Sequence, residues 1–347
     1  MVLKVDNKDL MNNLTKHLSG KSKCSVNFTI EKDFIKLQSS NEFILDTILQ
    51  GTYEDKFIGG SFTVVINNSI ELLRSDKGSH TIINFMGDRV FFDQGDIVIP
   101  FSVAYDSRID VKFSNLQDCG SVSTDVLSSV NRRSKNMINL SKSLDVGASS
   151  IVIVHGRSFH LYSNCMVVAK VPDNLPDIEI PYLTFNNLAR NLYGSKVNVK
   201  QDNNLRVILL ECSDSSYIQV NYKKPNEELI KSIDSKINEL AYCGNFNVSN
   251  MNRFEVVYKC FPKETICLNF YKDGTVGALL SLTDGKTASV GTKDEQAELR
   301  MFISTAQFDT LLKLLNGRDI ISVYKGKDVI YVKISDDVGV LMSGMTF

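Results

Sequence analysis

Side chains able to do chemistry are sparse in this chain. It has four histidines, His17, His80, His155 and His160. His155 and His160 stand five apart in an alternating, strand-like stretch, which points them to opposite faces and denies them a shared metal. The seven cysteines, Cys24, Cys119, Cys165, Cys212, Cys243, Cys260 and Cys267, form no C-x-x-C pair. Their odd number reads as free thiols, buried in a reducing compartment. Cys260 and Cys267 lie near Tyr258 and Lys259 with no histidine close in sequence, so they read as core thiols rather than nucleophiles. The acidic neighbours Glu227 and Glu228, and Asp336 and Asp337, fall in expected loops or on a solvated helix face. The sequence contains no H-E-x-x-H, no G-x-S-x-G and no P-loop. The expectation is a protein that is not an enzyme and that uses no metal or cofactor.

The remaining chemistry is basic, and it concentrates on expected helices. Those windows hold Lys8 and Lys16; Arg74 and Lys77; Arg132, Arg133, Lys135 and Lys142; Arg190 and Lys196; Arg253, Lys259 and Lys263; and Lys313 and Arg318. Against these fifteen stand six acids, Asp9, Glu71, Asp76, Asp125, Glu255 and Asp309. The surplus is about nine on a chain of net charge -1, so everything else carries about -10. Segregation on that scale predicts a surface built for a polyanion. Ser128, Ser129, Asn131, Asn186, Asn187 and Asn191 add groups suited to non-specific or water-mediated phosphate contacts. No aromatic stacking platform interleaves the basic faces, which favours duplex over single-stranded nucleic acid.

The elements that must carry these residues repeat. Residues 61–78, 181–195 and 300–317 each read as a short strand, a polar helix start, one short amphipathic helix and a closing Gly or Ser. Their apolar stripes are Ile66, Ile70 and Leu73; Phe185, Leu188 and Leu192; and Phe308, Leu311, Leu312 and Leu315. Three further helices fit the same period. Residues 7–20 align Leu10, Leu14 and Leu18. Residues 123–141 start at Ser123 as N-cap and turn Leu127, Val130 and Met137 inward. Residues 249–261 carry Phe254, Val257, Tyr258 and Phe261. Between the helices the chain alternates apolar and polar residues around Gly- and Asp-containing turns, the mark of antiparallel hairpins.

The chain therefore reads as six copies of strand, helix and about three strands, paired into three modules of α+β class, each with two helices on an antiparallel sheet. The expected boundaries are 1–115, 116–225 and 244–347, with residues 226–243 as an additional connecting helix after Pro225, its apolar face formed by Leu229, Ile233, Ile237 and Leu240. With 347 residues, 43% hydrophobic and 23% charged, the chain is long enough for such cores. No apolar signal core opens it and no run reaches membrane-spanning length, so a cytoplasmic protein is expected.

Six helix-plus-strands units in three modules, with basic helices, resemble the DNA sliding clamps, most closely the three-domain bacterial β-clamp type. That resemblance implies two subunits closed head to tail into a homodimeric ring, helices lining the hole and sheets outside. It implies double-stranded DNA, a replicative DNA polymerase and an ATP-driven clamp loader as partners, in a bacterial or phage-infected cell. The residues expected to face duplex DNA are Lys8, Lys16, Arg74, Lys77, Arg132, Arg133, Lys135, Arg190, Lys196, Arg253, Lys259 and Lys313. In such clamps, short motifs of polymerases and loaders dock in an apolar groove between the second and third modules. The two segments implied for it are 163–171 and 338–345, with Ser163, Met166, Val167, Val168, Val340, Leu341, Met342 and Met345 as its lining. The usual T-D-G-H-R-L-like run is absent there, as is the usual Met-Pro-Met-like ending, so a different partner motif is expected; the divergence and the extra helix suit a phage-encoded clamp. Two other readings stay open: a clamp-fold factor for transcription or repair, and a structural or virion β-protein that does not bind DNA.

Overall fold

A computed structural model describes residues 2–18, 23–32, 34–40, 43–53, 59–74, 79–86, 88–104, 109–113, 115–141, 150–162, 165–192, 194–260, 265–281, 285–315, 317–326, 329–343 and 345–346, with backbone alone at 53, 74, 104, 134–141, 161–162, 306 and 345–346. The chain is α+β, and every pairing between neighbouring strands of its three sheets is antiparallel. It forms two compact units, Met1–Leu127 with Thr184–Tyr222, and Ser128–Leu183 with Lys223–Phe347.

The first unit is organised on a thirteen-stranded sheet. Its strands run in the spatial order Leu116–Ser123, Lys196–Asp202, Val207–Cys212, Tyr217–Asn221, Ile44–Leu49, Ile35–Ser40, Lys23–Ile30, Gly60–Asn67, Val98–Ala104, Arg89–Asp93, His80–Met86, Val2–Asp6 and Gly51–Tyr53. Helix α1 (Asn7–Leu18) lies against the short helix Asn68–Arg74. Leu10, Leu14 and Leu18 of α1 and Ile66, Ile70 and Leu73 all enter the core, as their spacing predicts. Asn68–Arg74 is a 3-10 helix rather than the expected α-helix. Its start is fixed by Asn67, whose side chain accepts from the Ser69 N–H at 2.8 Å.

The expected cap of α2 (Thr124–Ser141) is present: Ser123 Oγ accepts from the Asp125 N–H at 3.2 Å. Helix α3 (Tyr182–Asn191) is followed by Gly194 at φ +85°, and α6 (Thr305–Leu315) by Gly317 at φ +80°, the left-handed conformation that ends helices and that glycine adopts without strain.

The second unit carries an eight-stranded and a five-stranded sheet. The larger runs Ile178–Pro181, Ser150–Val154, Arg157–Tyr162, Cys165–Lys170, Val338–Ser343, Val329–Ser335, Ile320–Lys325, Ala241–Asn247. A core of Phe254, Tyr258, Phe270, Phe308, Leu311, Leu315 and their neighbours is shared by both sheets, by the turn Met251–Phe254, by α5 (Glu255–Cys260) and by α6. The extra helix expected after Pro225 is α4 (Glu227–Asn238), and Asn226 caps it by accepting from the Leu229 N–H at 3.1 Å.

Two strands share an irregularity that the sequence reading missed. Leu116–Ser123 bulges at Cys119 before Gly120, and Ala241–Asn247 bulges at Cys243 before Gly244. The Cys-Gly pair recurs where the strand must kink.

Several expectations need correction. Lys196 opens a strand instead of closing a helix. Asn186 and Asn191 are buried, and Asn191 Nδ2 donates to the Asn187 carbonyl at 2.8 Å, so neither offers its side chain to phosphate. Cys260 is exposed, because α5 ends there after six residues, while Cys267 is buried as expected; all seven thiols are free. His155 occupies the turn between two strands at φ +46°, and only His160 lies in the strand.

Candidate nucleic-acid interface

The expected DNA-facing cations separate into groups once their neighbours are known. Lys8 on α1, Arg132 on α2, Arg190 at the end of α3 and Arg253 are exposed and have no ion pair among the described residues. Arg190 also sits in the last turn of its helix, where the carbonyl end favours a cation. Arg133 is half-buried. Desolvation lowers its pKa, the Asp337 carboxylate opposes that shift, and Arg132 adds to it.

Three lysines are already neutralised. Lys16 Nζ meets Asp214 Oδ2 at 2.5 Å, Lys259 pairs with Glu255 one turn earlier in α5, and Lys313 pairs with Asp309 one turn earlier in α6. Asp309 also accepts from the Tyr258 hydroxyl at 2.5 Å, which ties α6 to α5. Lys196 is exposed at a strand start opposite Ser123, beside the cap of α2. Arg74 ends the 3-10 helix and Lys135 lies within α2; their side chains, and all of Lys77, are outside the described residues.

The two segments expected to form the partner groove are adjacent strands. Cys165–Lys170 pairs with Val338–Ser343 in the register Met166 to Leu341, Val167 to Val340 and Cys165 to Met342. Alternation then divides the candidates. Val167, Val340 and Met342 point into the core shared by the two sheets. Met166, Val168 and Leu341 point to the opposite face. Ser163 lies outside the described residues, and Met345 falls in the short strand Met345–Thr346 paired with Leu299–Ser304.

That opposite face is covered by α4. Ile230 and Ile233 are buried against Val154, Phe159, Met166 and Val168, with Ile237 and Leu341 packed at the margin. Arg157 donates twice to Asp234, Nη1 to Oδ1 at 2.6 Å and Nη2 to Oδ2 at 2.7 Å, and its guanidinium lies 5.1 Å from the Phe159 ring centre. The hydrogen bonds to Asp234 raise the Arg157 pKa further. The sequence reading did not find Arg157, Asp234 or Asp214. Its available signal was the Ile-x-x-Ile-x-x-x-Ile spacing of α4, which shows a buried stripe but not what lies beneath.

Among the described residues no group of His, Cys, Asp and Glu could hold a metal ion, and no helix is long and apolar enough to cross a membrane.

No family model and no curated protein matches the chain. Solved structures do match, over nearly the whole length. The structure titled a putative DNA polymerase III beta subunit from Eubacterium rectale is 13% identical, with a TM-score of 0.75 and 99% of both chains covered. The DNA polymerase sliding clamp from Bacillus subtilis is 11% identical, again with a TM-score of 0.75 and 99% of both chains covered. The Helicobacter pylori beta clamp, solved bound to a DNA ligase peptide, is 12% identical, with a TM-score of 0.68 over 99% of this chain and 100% of that one. The fold is therefore that of the DNA sliding clamps, as the repeat pattern led us to expect.

Proposed function

We propose that this chain is a sliding clamp: a non-catalytic ring that encircles duplex DNA and tethers a replicative polymerase. The observation that carries the reading is the full-length likeness to clamps, joined to exposed, unpaired cations on the helices. A tether must slide, so it cannot read sequence. Lysine and arginine near phosphates attract without register, and closure around the duplex supplies the persistence that weak contacts lack. The three-module division, the homodimer, the loader and the cytoplasmic setting belong to the same proposal.

The geometry refines which cations do the work. Lys8, Arg132, Arg190 and Arg253 are the phosphate contacts, with Arg133 in support. Lys259 and Lys313 serve their own helices. The test is retention on nicked circular DNA across a salt series. Arg132→Ala with Arg190→Ala should weaken retention and flatten the salt slope by about two, near one per lost phosphate contact. Lys259→Ala with Lys313→Ala should leave the slope within about half a unit of the parent. Equal effects from the two pairs would refute the assignment. Retention that survives linearisation of the DNA would refute encirclement.

A further inference from the structure

The eight-stranded sheet carries a transverse strip of large apolar side chains on the face that α4 covers. Met166 stands opposite Leu341, Leu341 opposite Tyr331, Tyr331 opposite Tyr324, and Tyr324 opposite Tyr242. Directly opposed residues in antiparallel strands share a face, so the five form one line. Ring centres of Tyr242 and Tyr324 are 5.3 Å apart, and those of Tyr324 and Tyr331 are 5.8 Å apart. Tyr331 lies across Gly339, where a Cβ would come within 2.1 Å of its hydroxyl. α4 covers only the Met166 end. The far end is open, with Tyr242 57% exposed.

The cover is lightly fixed. α4 buries two isoleucines fully and a third in part. Its one ion pair, Arg157 with Asp234, leaves both side chains about a third exposed, at 34% and 32%. An ion pair that wet holds weakly.

We propose that the face beneath α4 is a docking surface for a partner segment of α4's own chemistry, and that α4 is its resident competitor. The segment is a short amphipathic helix with branched aliphatic residues at i, i+3 and i+7 and a carboxylate beside the middle one, placed as Ile230, Ile233, Ile237 and Asp234 are. The three aliphatics replace the isoleucines over Val154, Phe159, Met166 and Val168, and the carboxylate takes the Arg157 fork, whose planar geometry suits bidentate capture. Continuity of the strip gives the partner a surface that α4 leaves free: apolar or aromatic residues extending past the helix would lie on Leu341, Tyr331 and Tyr324. The inference rests on the clamp reading for its biological sense, since a tether must hold partners; the docking itself rests on the geometry of this face.

The probe is a fluorescein-labelled peptide spanning residues 225–240, titrated by anisotropy into the full chain and into a full-length variant with residues 227–238 replaced by Gly and Ser. A tethered helix competes at an effective concentration on the order of millimolar, so the replaced variant should bind the peptide at least ~10-fold more tightly than the parent. The Ile233→Asp peptide should not bind. In the replaced variant, Arg157→Glu should abolish binding, and an Asp234→Lys peptide should restore it. A replaced variant that melts cooperatively yet ignores the peptide, or a parent that binds equally well, overturns the proposal. If the replaced variant fails to fold, hydrogen exchange on the intact chain decides. Amides of residues 230–238 should exchange well before those of Val338–Ser343, and faster still in Asp234→Asn; equal protection of helix and strand overturns the proposal. DNA retention is scored on the same proteins. Peptide binding without retention retires the clamp reading alone, and retention without peptide binding retires the docking face alone.

Discussion

The His17 imidazole points inward from α1, with Nδ1 2.7 Å from Ser39 Oγ and Nε2 3.0 Å from Thr47 Oγ1. Burial, helped by Lys16, lowers its pKa to about 3, and burial lowers that of His160 to about 4. Both rings are neutral in the fold and take up protons near pH 6.5 when it opens. Their stabilising effect is complete above that pH and is lost as the pH falls toward the folded values. Between pH 6 and pH 5 each should cost up to about 1.4 kcal/mol of stability. Urea unfolding of His17→Gln should show a shallower acid dependence than the parent; an unchanged dependence refutes the assignment. Tyr258→Phe removes the hydroxyl that donates to buried Asp309 and should cost about 1–3 kcal/mol in the same assay. At this scale the sequence was only partly legible. Glu255 and Asp309 stand four residues before Lys259 and Lys313, a spacing that reveals their pairing. Asp214 is 198 residues from Lys16, and nothing local connects them.

Elements were the most legible level, because periodicity is a local property. Every expected helix occurs, and α4 appears where its apolar stripe and Pro225 place it. The 3-10 winding of Asn68–Arg74 was hidden, since a single turn of apolar spacing fits both helix types. The face beneath α4 was hidden too. One residue of register between Cys165–Lys170 and Val338–Ser343 decides whether Leu341 or Met342 points outward, and that register is set by distant packing. The Cys-Gly bulges make a separate prediction. Gly120 has φ +84°, so Gly120→Ala should lower stability by about 1–2 kcal/mol in thermal unfolding. Gly60→Ala, where nothing lies within 4 Å of the added methyl, should be nearly neutral.

On the scale of the molecule, the clamp proposal requires a closed assembly. Sedimentation should return about twice the 38.8 kDa of one chain, and a strict monomer at micromolar concentration would oppose the ring. Within a single chain, the thirteen-stranded sheet is completed by a short pairing of Tyr217–Asn221 with Ile44–Leu49, where Tyr217 opposes Asp46 and Ile218 opposes Leu45. Gln219 and Asp46, which meet there at 3.5 Å, are 173 residues apart. During synthesis the strand Ile44–Leu49 therefore leaves the ribosome long before its neighbour exists. Its outer edge stays open through much of translation, a period in which an unpaired strand invites other chains. Asp46 sits in the middle of that edge with Lys36 3.2 Å away, and a charge in this position repels the wrong neighbours until the right one arrives. Asp46→Val should accordingly lower the soluble yield of newly made protein more than it lowers the melting temperature of the finished one, so this carboxylate guards the birth of the fold rather than its later life.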